Sequence, residues 1–273
     1  MRELSNIQIG FERNENCKML RGKENLLKTN WPLWEPLNDL ADEVEVIDQN
    51  GNPVKVPAYI GCNAVAIMQM IAYHMYPEKL GDRIIPWKRF REMDYFEGED
   101  RKLIAYAARY VADQIKSIYG YEKGSRETSA YNTEVKKFML NIGYKNYINQ
   151  PYDIDIVKNE LDENRPMFIT ASRKGAAAGH IWILDGYKEM QYTRQSDTII
   201  YNFVHCNWNW GWGKKSNQGY CLSNVFYSEQ QYQYLEYFEP KVNPIPHKKA
   251  YTERCTIYTG IEPQGFQRIY LPK

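Results

Sequence analysis

The chain has almost no excess of charge: 35 Lys and Arg stand against 34 Asp and Glu, a formal net of +1. That balance gives no electrostatic reason to expect nucleic acid or an anionic membrane as partner. No stretch approaches the ~18 consecutive apolar residues of a membrane-spanning helix. The opening MRELSNIQIG has no basic segment followed by an apolar one, so it does not read as a secretory signal. No Cys-x-x-Cys pair occurs, which argues against a structural zinc site. The five cysteines, Cys17, Cys62, Cys206, Cys221 and Cys255, are odd in number, so at least one thiol stays unpaired within a monomer. Histidine is scarce too, with only His74, His180, His205 and His247.

What is present suffices for a sizeable core. The chain has 273 residues, 43% hydrophobic, with 23 tyrosines and 7 tryptophans. Residues 1–25 are polar and irregular and read as a leader, a linker or the end of a pro-segment. NWPLWEPLND, residues 30–39, should be extended, and DQNGNPVKVP, residues 48–57, should be a turn and loop. CNAVAIMQMIAYHMY, from Cys62, is apolar nearly all round and predicts a buried helix ended by Pro77. Helices are also expected over 98–120, over 132–144 with Asn132 as cap, and over 153–166. The character then changes to strands: PMFITAS, HIWILDGY, TIIYNFVHCNW and QGYCLSNVF, with later ones near Thr256–Tyr258 and Gln267–Leu271. Helices first and strands later predict an α+β fold, a helical lobe facing a β lobe.

Cys62 lies in the first turn of the apolar helix. Unpaired N–H groups and the positive end of the helix dipole favour a thiolate there. A small buried thiol is the competing reading. A base would separate the two. His74 is three turns along the same helix, roughly 18 Å from the start, and reads as a satisfied core histidine. His247 sits among prolines and lysines and receives no role. His180 follows KGAAAG and opens a strand, while His205 ends another, and pattern alone does not choose between them. A metal site from His180, His205, Cys206 and Cys221 is a weak third reading.

GCNAVAIMQMIAYHMYP, residues 61–77, resembles the nucleophile helix of the streptopain family of papain-like cysteine peptidases, through Gly61, Cys62, Gln69, Tyr73, His74, Tyr76 and Pro77. The strand at 179–187 resembles the family's Gly-His-hydrophobic-Asp-Gly segment, through Gly179, His180, Asp185 and Gly186. HCNWNWGWG, residues 205–213, is similar to its aromatic turn. The similarity runs from about residue 26 to about 226. It implies a papain-like domain over 26–273, with 227–273 a C-terminal extension of the β lobe. It also implies a buried nucleophile helix facing an antiparallel β lobe.

The resemblance implies Cys62 as nucleophile, His180 as general base and then acid, and an Asn or Trp of the aromatic turn that orients the imidazole. No metal and no organic cofactor are needed. Peptides or proteins would be the substrates, with a pro-segment or an inhibitor protein as further partner, and the protein would be secreted or at the cell surface. Two departures stand out. The turn has two Asn-Trp pairs, Asn207-Trp208 and Asn209-Trp210. Asn209 with Trp210 is the preferred match, with Trp212 in the cleft wall and Trp208 packing beneath the β lobe. The family's oxyanion Gln falls on Leu33, which cannot donate. Asn30, Trp31 or Trp34 would have to replace it. Gly61, Gly179, Trp212 and Leu33 are expected to line the substrate cleft, with specificity set by loops 121–131 and 173–179. The small residues of KGAAAG suggest a gate. A papain-like protein that binds peptides without efficient catalysis is the alternative.

Overall fold

The computed structural model describes residues 11–13, 17–194, 197–211, 218–229, 232, 235, 238–240 and 249–266. Five helices are present among them: α1 (Cys62–His74), α2 (Trp87–Phe90), α3 (Gly98–Gln114), α4 (Asn132–Asn141) and α5 (Ile154–Asp162). The main sheet has seven strands: β1 (Cys17–Lys23), β2 (Ile148–Pro151), β3 (Met167–Arg173), β4 (Gly179–Arg194), β5 (Asp197–Asn207), β6 (Gly219–Leu222) and β7 (Tyr251–Thr259).

The sheet is antiparallel throughout, in the order β2-β7-β3-β4-β5-β6. The first half of β4 pairs with β3, and its second half, Tyr187–Tyr192, pairs with β1. The α+β architecture of helical lobe and antiparallel β lobe is therefore as the sequence predicts. Residues 17–23, read as part of a leader or linker, instead form β1 of the sheet. The C-terminal strand is not an added edge, because β7 lies between β2 and β3. Gln267–Leu271 lie outside the described residues.

α1 is the centre of the helical lobe. Every residue from Asn63 to His74 is buried, so no polar stripe is needed. It ends where expected, with Met75 in the left-handed conformation before Pro77. α3 is shorter than its pattern: Lys116 takes a positive φ of 53°, and Ile118–Tyr119 pair with Thr128–Ser129. α4 begins at Asn132 rather than being capped by it. The Asn132 amide donates instead to the Tyr258 hydroxyl at 3.0 Å. Asp153 does cap α5, accepting from the N–H groups of Asp155 and Ile156. Residues 33–41 are turns, not an extended segment, with Leu37 N–H bonded to the Trp34 carbonyl. Residues 53–57 form a hairpin with Glu43–Ile47, so only the turn between them matches the expected loop.

One core lies around α1 and α3, with Trp31, Phe90 and Phe96. A second lies under the sheet, with Trp182, Trp208, Tyr187 and Phe226. The lobes meet along α1 and β4, which places the start of the helix against the start of the strand.

Candidate active site

Cys62 is the first residue of α1, and its position depends on Gly61. Gly61 has φ 98°, and a Cβ there would lie 3.1 Å from the Thr128 methyl. Gly61 is thus buried under Thr128 rather than exposed on the cleft wall. Gly179 does line the cleft, and its bare Cα is a steric requirement. A Cβ would approach the Ala171 carbonyl of β3 to 2.7 Å. Pairing of Ala171 with His180 fixes the histidine at the head of β4.

Cys62 and His180 line one cleft of about 970 Å³. Leu33 and Trp34 of the helical lobe, Trp210 of the turn and Tyr251 of β7 share its walls. The Cys62 thiol donates to the Asn63 side-chain oxygen at 3.4 Å. His180 Nε2 donates to the Trp208 carbonyl at 3.0 Å, which leaves Nδ1 as the basic nitrogen. The imidazole is enclosed by aromatic rings, with centroids at 5.3 Å for Trp210, 5.9 Å for Tyr251, 6.0 Å for Trp182 and 6.2 Å for Trp208.

Loss of water acts on both groups. Burial lowers the His180 pKa from 6.5 to about 4. Burial pushes the Cys62 thiol up, opposed by the backbone amides of Ile181, Asn63 and Cys62 itself, with the Glu127 carboxylate adding to the rise. The helix N-terminus is expected to favour the thiolate, but in this cleft desolvation outweighs it. Burial thus disfavours the charged form of each group.

Asn209 does not bond the imidazole. Its amide donates to the Ile181 carbonyl at 2.9 Å and its oxygen accepts from Gln69 at 2.7 Å. Ile181 follows His180, so Asn209 steadies the histidine's strand rather than its ring. Asn207 joins the same buried group, accepting from Gln69 at 3.2 Å and donating to the Thr29 carbonyl at 2.8 Å. Gln69 in turn accepts from the Trp31 N–H at 3.0 Å. Both asparagines of the doubled motif are thereby used at the lobe junction. Trp210 faces the cleft, and Trp208 packs in the β-lobe core. Trp212 lies outside the described residues.

The other histidines are accounted for. His74 Nδ1 donates to the Met70 carbonyl at 3.0 Å within the core, and burial lowers its pKa to about 3. His205 is buried, bonded through Nδ1 to Asp185 at 2.6 Å, and does not line the cleft. Asp185 sits at an irregularity between β4 and β5 and also accepts from Leu27 N–H at 3.1 Å. The glycine that follows lets residues 23–25 cross at contact distance. His247 lies outside the described residues. Cys206 and Cys221 are free buried thiols, and among the described residues no group of three His, Cys, Asp or Glu side chains is placed to hold a metal. The KGAAAG loop is tied down by Arg254, which donates to the Ala176 carbonyl at 2.9 Å and to Ser172 at 3.0 Å. The junction role of Gln69 has a signal in the sequence, a polar residue inside an apolar helix, which the motif match alone does not interpret.

No curated protein matches the chain by sequence. Residues 89–220 match the model of the Peptidase C10 family, a span that holds His180, Asn209 and Trp210 but not Cys62. The fold is similar to that of active wild-type interpain A cysteine protease of Prevotella intermedia. The TM-score is 0.58 and the identity 18%, covering 89% of this chain and 96% of that one. A prointerpain A fragment of the same organism, carrying a cysteine-to-alanine mutation, gives a TM-score of 0.52 at 17% identity, covering 89% and 73%. Residues 89–220 thus match the Peptidase C10 family, the streptopain family that the motifs resemble, and the chain has the papain-like fold of interpain A.

Proposed function

We propose that the chain is a cysteine endopeptidase that cleaves extended polypeptides lying in the cleft, with Cys62 as nucleophile and His180 as general base and acid. The observation that carries this is the placement of a helix-start thiol and an aromatic-enclosed imidazole in one cleft, each from a different lobe. The Trp208 carbonyl holds the Nε2–H tautomer, so Nδ1 takes the thiol proton as sulfur attacks the peptide carbonyl. Burial disfavours charge on both groups, so proton transfer accompanies attack. The imidazolium then protonates the leaving amine, and His180 activates water to hydrolyse the thioester. The Cys62 N–H, at the unpaired start of α1, is one donor to the oxyanion. Of the three residues considered for the other, Trp31 is spent on Gln69 and Met93, and Asn30 does not line the cleft. Trp34 does line it, and its indole N–H is the donor we assign in place of the missing Gln.

The prointerpain relative supports a pro-segment as a further partner, and we place the action of the chain outside the cytoplasm. Among the described residues no helix is long and apolar enough to cross a membrane.

The test is hydrolysis of denatured casein by reduced wild type and by Cys62→Ala. Cleavage that the substitution abolishes supports the peptidase. Absence of cleavage by folded wild type would replace it with a peptide-binding relative whose Leu33 has ended catalysis.

A further inference from the structure

Four charged side chains line the cleft: Glu127, Arg173, Glu229 and Arg254. Three of them are engaged. Arg254 donates to Ser172 and Ala176, Glu229 accepts from Lys249 at 3.3 Å, and the Arg173 guanidinium lies 4.9 Å from the centre of the Tyr251 ring. The Glu127 carboxylate has no hydrogen bond or ion pair among the described residues. Its nearest cation in sequence, Arg126, is held by the Pro57 carbonyl at 2.9 Å and over the Tyr59 ring at 4.6 Å.

The backbone that carries Glu127 is fixed close to the nucleophile. Its N–H donates to Ser125 and its carbonyl accepts from Tyr121. The next residue, Thr128, donates to the Tyr59 carbonyl at 2.6 Å and packs on Gly61, which precedes Cys62. Tyr59 and Tyr121 line the same wall. The carboxyl is pushed up from its ordinary range by burial and by Glu122, and no cation among the described residues offsets either. An unpaired carboxylate standing in a substrate cleft, beside aromatic rings, is complementary to a cation on a long apolar stem.

We infer that Glu127 is a specificity residue forming, with Tyr121, a subsite for a lysine or arginine side chain of the substrate close to the scissile bond. This rests on the reading of the cleft as peptide-binding. Acidic side chains are excluded from the same place by repulsion from Glu127 and Glu122.

Two measurements test it. The first profiles cleavage of a peptide library by mass spectrometry. Wild type should favour Lys or Arg over Gln at one position by about tenfold. Glu127→Gln should bring the two within about twofold, and Glu127→Lys should turn the preference toward Asp and Glu. A wild type without such a position, or a preference that survives Glu127→Gln, overturns the assignment. The second does not need hydrolysis. Cys62 is labelled with positively charged aminoethyl methanethiosulfonate and with negatively charged sulfonatoethyl methanethiosulfonate, each leaving sulfinate as the mixed disulfide forms. The ratio of the two rates, read on the Cys62 peptide, should fall about tenfold in Glu127→Gln. If nothing is hydrolysed but the ratio falls, the peptidase reading fails and the cationic subsite stands. An unchanged ratio overturns the subsite.

Discussion

On the helical wall Cys62 is placed by backbone: a glycine with positive φ, a helix start and the amides around the sulfur. On the β wall His180 is placed by rings, boxed by three tryptophans and a tyrosine and held by one carbonyl. The first wall keeps polar groups and a carboxylate near the sulfur, and the second is nearly dry. Yet desolvation dominates at both, raising the acid and lowering the base, so the two converge on neutrality. Between the walls lies the junction, and there the neutral amides of Gln69, Asn207 and Asn209 align them without a buried charge.

The sharpest way to break the comparison is to cut that junction. Gln69→Leu leaves the Asn207 and Asn209 oxygens and the Trp31 N–H without this partner. It should lower stability by about 2–4 kcal/mol in urea denaturation. Turnover should fall as well, because the walls lose their register. Gln69→Glu should recover part of the stability, since it can still accept from Trp31.

Acid tests the dry wall. His74 and His180 titrate near 3 and 4 in the folded chain, against 6.5 as the ordinary value. As pH falls below 6.5 the unfolded chain takes up protons that these imidazoles refuse. Stability is therefore fully present above that pH and lost on the way down, to about 4 for His180 and about 3 for His74. Between pH 7.5 and 5.5 the loss should be about 1.3 kcal/mol for each histidine. Denaturant midpoints across this range check it, and His74→Gln should remove about half of the slope.

The helical wall can be improved instead of broken. Leu33→Gln offers an oxyanion donor where the side chain already lines the cleft, and should raise turnover about tenfold, with Trp34→Phe lowering it by a similar factor. The smallest effect is expected from Trp210→Ala, which opens one side of the aromatic box. The His180 pKa should rise from about 4 toward its ordinary value, followed by the imidazole proton resonance.

The helix of Cys62, the strand of His180 and the two-lobe architecture are legible in the sequence because each has a local signature: periodicity, a proline stop, β-branched runs and motif residues in order. Loop 121–131, expected in the cleft wall, does supply Glu127 to it. The partner of His180 is not legible. Which loop atom meets the ring depends on how Asn207 and Asn209 are drawn to Gln69 from another lobe. β1 escapes a sequence reading because its residues are mostly exposed and carry no apolar alternation; its pairing with β4 is what makes it a strand. The central place of β7 cannot be read from residues near it, since sheet order is a property of distant partners.

That central place has a consequence for how the molecule comes into being. β7 fills the gap between β2 and β3, and its first residue, Tyr251, forms one side of the box around His180. Neither the sheet nor the imidazole's enclosure can be completed while a ribosome still holds residues 251–259. Pairings that span so much of the chain also assemble late and slowly. A nascent chain therefore carries the Cys62 thiol for most of its synthesis without the finished wall that faces it.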